Sequence, residues 1–241
     1  MTQCHHSAVV EIVKRGWCDD ISVDLTKLVS KCVNIFCAVQ SRYELGEFLK
    51  FVQTKQPRTI LEIGTARGGT LYGLSQLADP SAMLVSIDLP GGANCGGQTQ
   101  TERSVFATFG PPTQQFRFIP ADSRLSTTKE TLRCLLGSRT LDLLFIDGDH
   151  SYDAVRSDFE TYREFLSVDG TVVLHDICMF PEHWGPRGEV GIFWDELTRT
   201  YNCHSIINPN GVQRFRKSPA EAWAFGIGIV EGARNIRCPR H

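Results

Sequence analysis

The sequence predicts an α/β protein built on a doubly wound, mostly parallel seven-stranded sheet, with an antiparallel C-terminal edge and an N-terminal helical cap. Two observations carry this. From about residue 59, short apolar runs rich in β-branched residues alternate with amphipathic stretches, and such alternation builds sheets covered by helices on both faces. The first run, TILEI, enters a glycine-rich turn, and the four runs after it each finish at a carboxylate, as in sheets that bind ligands at their carboxyl edge.

Residues 1–40 are poorly periodic and read as the helical cap. Leu45, Phe48, Leu49 and Val52 follow the i, i+3, i+4, i+7 spacing of a helix. TILEI (59–63) is the first strand, bounded by Pro57 and Gly64. MLVSI (83–87) ends at Asp88, FRFI (116–119) is followed by Asp122, LDLLFI (141–146) ends at Asp147, and TVVL (171–174) ends at His175 and Asp176. Near-continuous apolar runs suit strands buried on both faces. Val155, Phe159, Tyr162 and Leu166 mark a helix, with Asp169-Gly170 as the break before the fifth strand. After a helix-like VGIFWDELTRTY, the runs CHSII (203–207) and AFGIGIV (224–230) form the antiparallel edge.

A length of 241 residues suits one α/β domain with appendages, and 41% apolar with 22% charged residues is an ordinary globular composition. A net charge of −2 gives no general attraction to nucleic acid or anionic membranes. Basic residues gather late, at Arg214, Arg216, Lys217, Arg234, Arg237 and Arg240; a solvated basic tail is the plain reading, an anionic-substrate handle the alternative. The nine cysteines include no C-x-x-C pair, which points to reduced thiols. Cys4, His5 and His6 read as an ordinary terminus rather than a metal-binding tip. The N-terminus lacks the order of a signal peptide, and no run approaches the roughly 20 apolar residues of a membrane span. The expectation is a cytoplasmic protein with no membrane or nucleic-acid partner, and homo-oligomerisation is left open.

In LEIGTARGGTLYGL a strand runs into Glu62-x-Gly64-x-x-x-Gly68-Gly69 and then a helix. Glycine permits a tight reversal, and a glycine loop at a helix N-terminus lets a ligand approach the backbone. Ala66 stands where the second glycine of a dinucleotide fingerprint belongs. Asp88, 24 residues after Gly64, is placed to accept both ribose hydroxyls, and Asp122 to mark an adenine amine. Each aspartate taken singly also fits a turn or cap; the succession of four carboxylate-ended strands argues for a site.

Those segments, with SIDLPGG, FIPADS, FIDGDHSYDAVRSDFETYREFLSVDGTVVLHDI and FGIGIVE, resemble the class I S-adenosylmethionine-dependent methyltransferases over roughly residues 41–231. The branch that looks nearest holds the cephalosporin-biosynthesis methyltransferase-like proteins and the macrolide and sugar O-methyltransferases. The resemblance implies a Rossmann-like methyltransferase fold, with 1–40 as cap and 41–241 as the S-adenosylmethionine-binding domain. It implies cofactor contacts from Glu62, Gly64, Thr65, Ala66, Gly68 and Gly69, from Asp88 and Leu89 at the ribose, from Asp122 and Ser123 at the adenine, and from Asp147. It further implies a metal held by Asp147 and the pair 175–176, with His150 as general base.

The residues themselves agree in part. Neighbouring parallel strands lie about 4.8 Å apart, so Asp147 and Asp176 can converge on one Mg²⁺ or Mn²⁺. His175 departs from the acidic residue of the related metal enzymes and favours Mn²⁺, Fe²⁺ or Zn²⁺ over Mg²⁺; the alternative is that His175-Asp176 caps a loop. His150 borders the acceptor position, and Asp149 either orients its ring or faces solvent. Trp184, Phe193 and Trp194 wall an acceptor pocket or, for the last two, fill the core. The expected function is O-methylation of a hydroxyl on a small-molecule acceptor, a sugar or sugar-bearing natural product. The rivals are a catechol- or phenol-type O-methyltransferase, a nicotinamide-dependent oxidoreductase and a non-catalytic adenosylmethionine-binding protein. The acceptor pocket is expected from the cap and the loops near 89–104 and 178–190.

Overall fold

The computed structural model describes residues 23–91, 98–211 and 224–234. The strands are β1 (Thr59–Ile63), β2 (Met83–Asp88), β3 (Gln115–Pro120), β4 (Leu141–Ile146), β5 (Leu166–His175), β6 (Asn202–Ile206) and β7 (Ile227–Glu231). The helices are α1 (Leu25–Asn34), α2 (Arg42–Lys55), α3 (Gly69–Leu77), α4 (Gln100–Phe106), α5 (Ser126–Leu136), α6 (Tyr152–Tyr162), α7 (Pro181–Trp184) and α8 (Val190–Thr198). The strands form one sheet in the order β3-β2-β1-β4-β5-β7-β6. The first five are parallel, and β7 runs antiparallel to both β5 and β6. The expected doubly wound sheet with an antiparallel edge is what forms.

Alternate residues of each buried strand serve two cores, because side chains in a strand alternate between faces. Ile60, Leu84, Leu143 and Phe145 face Leu28, Phe48, Leu71 and Phe106 of α1–α4. Leu61, Val85, Leu144 and Val172 face Leu132, Phe159 and Phe193 of α5, α6 and α8. The chain leaves β1 toward β2 and β3, then returns to lay β4 on β1's other side. Loops after β1 and β4 therefore part in opposite directions and leave a crevice at their carboxyl ends.

The largest boundary difference from the sequence expectation is at β5, while β7 starts at Ile227 rather than at Ala224. Leu166 begins β5 and pairs with Leu141, and the register then jumps to Leu143 opposite Thr171. Asp169-Gly170 lies inside that bulge rather than before the strand; a Cβ on Gly170 would sit 2.7 Å from the Leu141 carbonyl oxygen. The short 3₁₀ turn Arg163–Phe165 stops α6 first. Among the described residues no helix is long and apolar enough to cross a membrane. Of the late basic residues only Arg234 is described, and Cys4, His5 and His6 also lie outside the described residues. The five described cysteines are free thiols.

Candidate methyl-transfer site

The glycine loop is held by the strands around it. Gly64 has φ +84°, and a Cβ there would lie 2.0 Å from the Asp147 carbonyl oxygen. Only glycine lets the ends of β1 and β4 approach so closely. Gly68, also with positive φ, caps α3, whose first residue Gly69 is packed against the backbone of Ala38.

Asp88, at the end of β2, turns back to the loop: its Oδ2 accepts the N–H of Thr65 at 3.1 Å and of Ala66 at 2.8 Å. Glu62 lies beneath, fully buried, and its Oε2 accepts the Thr65 hydroxyl at 2.6 Å. Thr65 Oγ1 also meets Ser86 Oγ at 2.7 Å, and Ser86 accepts from Gln98 at 2.9 Å. Glu62 Oε1 has no partner among the described residues. Burial pushes this carboxyl up to about 8, with the Asp147 and Asp88 charges adding to the effect. Glu62 is thus a fastener under the loop.

At the far corner, the Asp122 carboxylate is taken by Arg124, which donates Nε to Oδ1 at 3.0 Å and NH2 to Oδ2 at 2.9 Å. The Arg124 fork holds that carboxyl below its ordinary value. Ser123 accepts the Tyr162 hydroxyl on its carbonyl at 2.5 Å. Leu89 is half-exposed beyond Asp88.

The ionisable cluster forms where β4 and β5 end side by side, Ile146 opposite Leu174. His175 Nδ1 lies 3.2 Å from both Asp147 Oδ1 and Asp176 Oδ2. Asp176 is in the left-handed region, φ +63°, and this turns its carboxylate back toward His175. His150 Nε2 lies 3.3 Å from Asp176 Oδ2 and 3.7 Å from Asp147 Oδ1. Burial opposes charge on His175, but the flanking Asp176 and Asp147 win and raise it well above its ordinary value. Burial likewise opposes the Asp147 charge, yet His175 and His150 hold it well below the usual carboxylate range. Burial also opposes charge on His150, and the same two carboxylates raise it.

Asp147, His175 and Asp176 each offer a ligand atom, all within 4.8 Å of one another. Two carboxylate oxygens and one imidazole nitrogen fit a divalent ion of borderline softness. Asp149 does not orient His150: it is exposed and accepts the N–H of Ser151 at 2.9 Å. Phe193 and Trp194 are buried in the core, whereas Trp184 is half-buried and stacks near Phe225, which lies against His175.

Sequence reasoning passed over several contributors. Gln40 Nε2 donates to Thr70 Oγ1 at 2.8 Å and reaches Asp147 Oδ2 at 3.4 Å, so the cap segment touches the site. Fully buried Glu44 accepts the N–H groups of Asn208 and Phe225. Glu189 caps α6 through the Tyr152 N–H and donates its own N–H to the His150 carbonyl. Only Glu44 carried a signal, as an acid one position from the apolar Leu45 in a buried helix. A cavity of about 440 Å³ lined by Lys55, Arg58, Asp142 and Ser167 lies at the opposite, amino ends of the strands and holds none of these groups.

Residues 61–177, which take in every site residue from Glu62 to Asp176, match the family described as a methyltransferase domain. The O-methyltransferase from Bacillus cereus in complex with SAH superposes with a TM-score of 0.57 at 13% identity, covering 96% of this chain and 92% of that one. The fold is a methyltransferase fold. The O-methyltransferase TomG from Streptomyces achromogenes, involved in tomaymycin synthesis and solved with SAM, gives 0.56 at 16% identity over 96% and 99% of the two chains. In sequence, the chain is 29% identical to the uncharacterised protein R132 of Acanthamoeba polyphaga mimivirus over 133 residues, 55% of this chain and 57% of the viral one. It thus spans little more than half of that relative's length. In a methyltransferase fold the crevice between the β1 and β4 loops lies between the glycine loop and the His/Asp cluster described above.

Proposed function

We propose that the chain transfers the methyl group of S-adenosylmethionine to a hydroxyl of a small-molecule acceptor, a sugar or sugar-bearing natural product, with a divalent ion at Asp147, His175 and Asp176. The observation that carries this reading is the contact between Gly64 and the Asp147 carbonyl. It sets the loop suited to the methyl donor directly against the cluster suited to the hydroxyl. Asp88 and the loop amides face the donor's ribose and methionine ends, and the loops after β3 its adenine.

The reaction is a displacement: the methyl carbon–sulfur bond breaks, a carbon–oxygen bond forms, and the hydroxyl proton leaves. An alcohol is a poor nucleophile until it loses that proton. A divalent ion held by Asp147, His175 and Asp176 would lower the hydroxyl's pKa. His150, on the solvent side of the cluster, takes the proton at its imidazole. Gln40 and His175 fix the two oxygens of Asp147, and Trp184 and Phe225 border the acceptor side.

The test is mass spectrometry of the protein incubated with S-adenosylmethionine and an extract of its source. A product heavier by one methylene, formed together with S-adenosylhomocysteine, supports the reading. Calorimetry separates the rivals: binding of NAD(H) in place of S-adenosylhomocysteine sinks it, and cofactor binding without turnover of any extract favours a binding protein. Ala66, at φ +45° where a dinucleotide loop carries glycine, already weighs against NAD(H).

A further inference from the structure

Glu44 is a carboxylate among the core side chains of α2, beside Leu45, and it is wholly buried. Both its oxygens are spent on backbone: Oε1 accepts the N–H of Asn208 at 2.8 Å and Oε2 that of Phe225 at 3.2 Å. Burying a carboxylate is costly unless such bonds are made, so the position serves the two segments it grips.

Those segments are drawn together. A Cβ on Gly211 would lie 2.7 Å from that of Ala224, and Asn208 Nδ2 donates to Ser41 Oγ at 3.4 Å. Phe225 is pinned a second time, since its carbonyl accepts the Cys178 N–H at 2.8 Å, two residues beyond Asp176. Gly226 permits this approach: its φ is +80°, and a Cβ there would lie 2.6 Å from Ile177 Cγ1. The Phe225 ring in turn neighbours His175 at 5.5 Å and Trp184 at 6.3 Å between centroids.

We propose that Glu44 is a positioning residue for the methyl acceptor: by fixing the Phe225 backbone it sets the Phe225–Trp184 wall, so that α2 of the cap governs how the acceptor seats beside the His/Asp cluster. The proposal rests on the methyl-transfer reading above and concerns its acceptor alone.

Only a full-length carboxylate serves both amides. A glutamine offers one acceptor oxygen and turns an NH₂ group toward the second N–H; an aspartate falls one methylene short. The bond to Phe225 is the longer of the two and yields first. This chain of contacts does not run through the glycine loop, whose Thr65 and Ala66 amides are held by Asp88. Substitution at Glu44 therefore separates acceptor binding from donor binding.

The experiment compares the full chain with its Glu44→Gln variant, using S-adenosylmethionine and a dilution series of the source extract as the acceptor probe. In the variant the half-saturating amount of extract is expected to rise about 5–20-fold. The maximal rate should change by less than about threefold and S-adenosylhomocysteine affinity by less than about twofold. Phe225→Leu is expected to raise the half-saturating amount too, and the double substitution to add little, because both act on one wall. A merely structural Glu44 would lower the melting temperature and leave the half-saturating amount unchanged; that result overturns the proposal, as does full additivity of the two substitutions. Amide hydrogen exchange covers a variant too unstable to assay. Exchange at Phe225 is expected to quicken about 10-fold in Glu44→Gln, with Thr65 and Ala66 unchanged, and unchanged exchange at Phe225 overturns the proposal by itself. Failure of the methyl-transfer reading looks different: the wild type then forms no methylated product from any extract, and the acceptor role falls with it whatever the exchange shows.

Discussion

The Asp88 carboxylate accepts the backbone N–H of Ala66 at 2.8 Å, so the acid at the end of β2 fastens the loop at the end of β1. The same oxygen also holds Thr65. Asp88 therefore shapes the glycine loop, and in the proposed reading it also meets the ribose.

This double duty sharpens the effect expected of Asp88→Ala. Losing charge-assisted bonds to the ribose weakens S-adenosylhomocysteine binding by roughly 2–4 kcal/mol. Two loop amides lose their acceptor at the same time, so the melting temperature falls even without ligand. Calorimetry and thermal melting read the two effects separately. Unchanged affinity removes Asp88 from the ribose; an unchanged melting temperature removes it from the loop.

Glu62 makes stability depend on pH in a direction opposite to an ordinary paired carboxylate. Its folded value, about 8, exceeds that of an unfolded glutamate. The folded chain therefore holds a proton that the unfolded chain has already released. The stabilisation is fully present below the unfolded value near 4.3 and is lost as pH rises through about 8, at up to about 1 kcal/mol per pH unit. Glu62→Gln keeps the shape and the acceptor for Thr65 but cannot ionise. It is expected to melt near the wild type at pH 5 and above it at pH 8–9. Parallel melting curves across that range would show that Glu62 does not titrate there.

How much of this was readable beforehand follows from where each feature's information resides. The central strands β1, β2 and β4 were legible because they are buried on both faces, and their apolar runs say so directly. The start of β5 was not: Leu166 fits the helical spacing of Val155, Phe159 and Tyr162 as well as it fits a strand, and only its pairing with Leu141 decides. Asp147, His175 and Asp176 announced themselves as polar endings of apolar runs. The meeting of Gln40 with Asp147, 107 positions away, is a product of tertiary packing that no local pattern encodes. The capture of Asp122 by Arg124 was local enough to be seen, two residues apart, yet it was masked by the more specific expectation at the strand end.

Metal dependence gives the third prediction. Removing divalent ions with a chelator is expected to abolish turnover while leaving S-adenosylhomocysteine affinity within about twofold, since the proposed donor contacts from the glycine loop and Asp88 need no ion. Turnover is then restored by adding back Zn²⁺, Co²⁺ or Mn²⁺. Full activity in metal-free protein would make His175-Asp176 a structural pair.

The last prediction concerns His150 in turnover. Its imidazole is the group on the open side of the cluster, and a base must be unprotonated to accept the hydroxyl proton. Its ordinary value is about 6.5; burial would lower it, but the Asp147 and Asp176 carboxylates raise it in the ion-free chain. A protonated His150 is inactive, so the rate is expected to rise with pH through an imidazole ionisation. His150→Ala is expected to lower kcat by roughly 10²–10⁴ at a saturating ion concentration, with cofactor affinity nearly unchanged. Saturating ion separates this loss from weakened metal binding. The variant should also lack the imidazole limb of the pH profile, which a purely structural role would leave in place. A variant with reduced kcat but the same pH dependence would assign the proton to solvent and leave His150 as a positioning residue only.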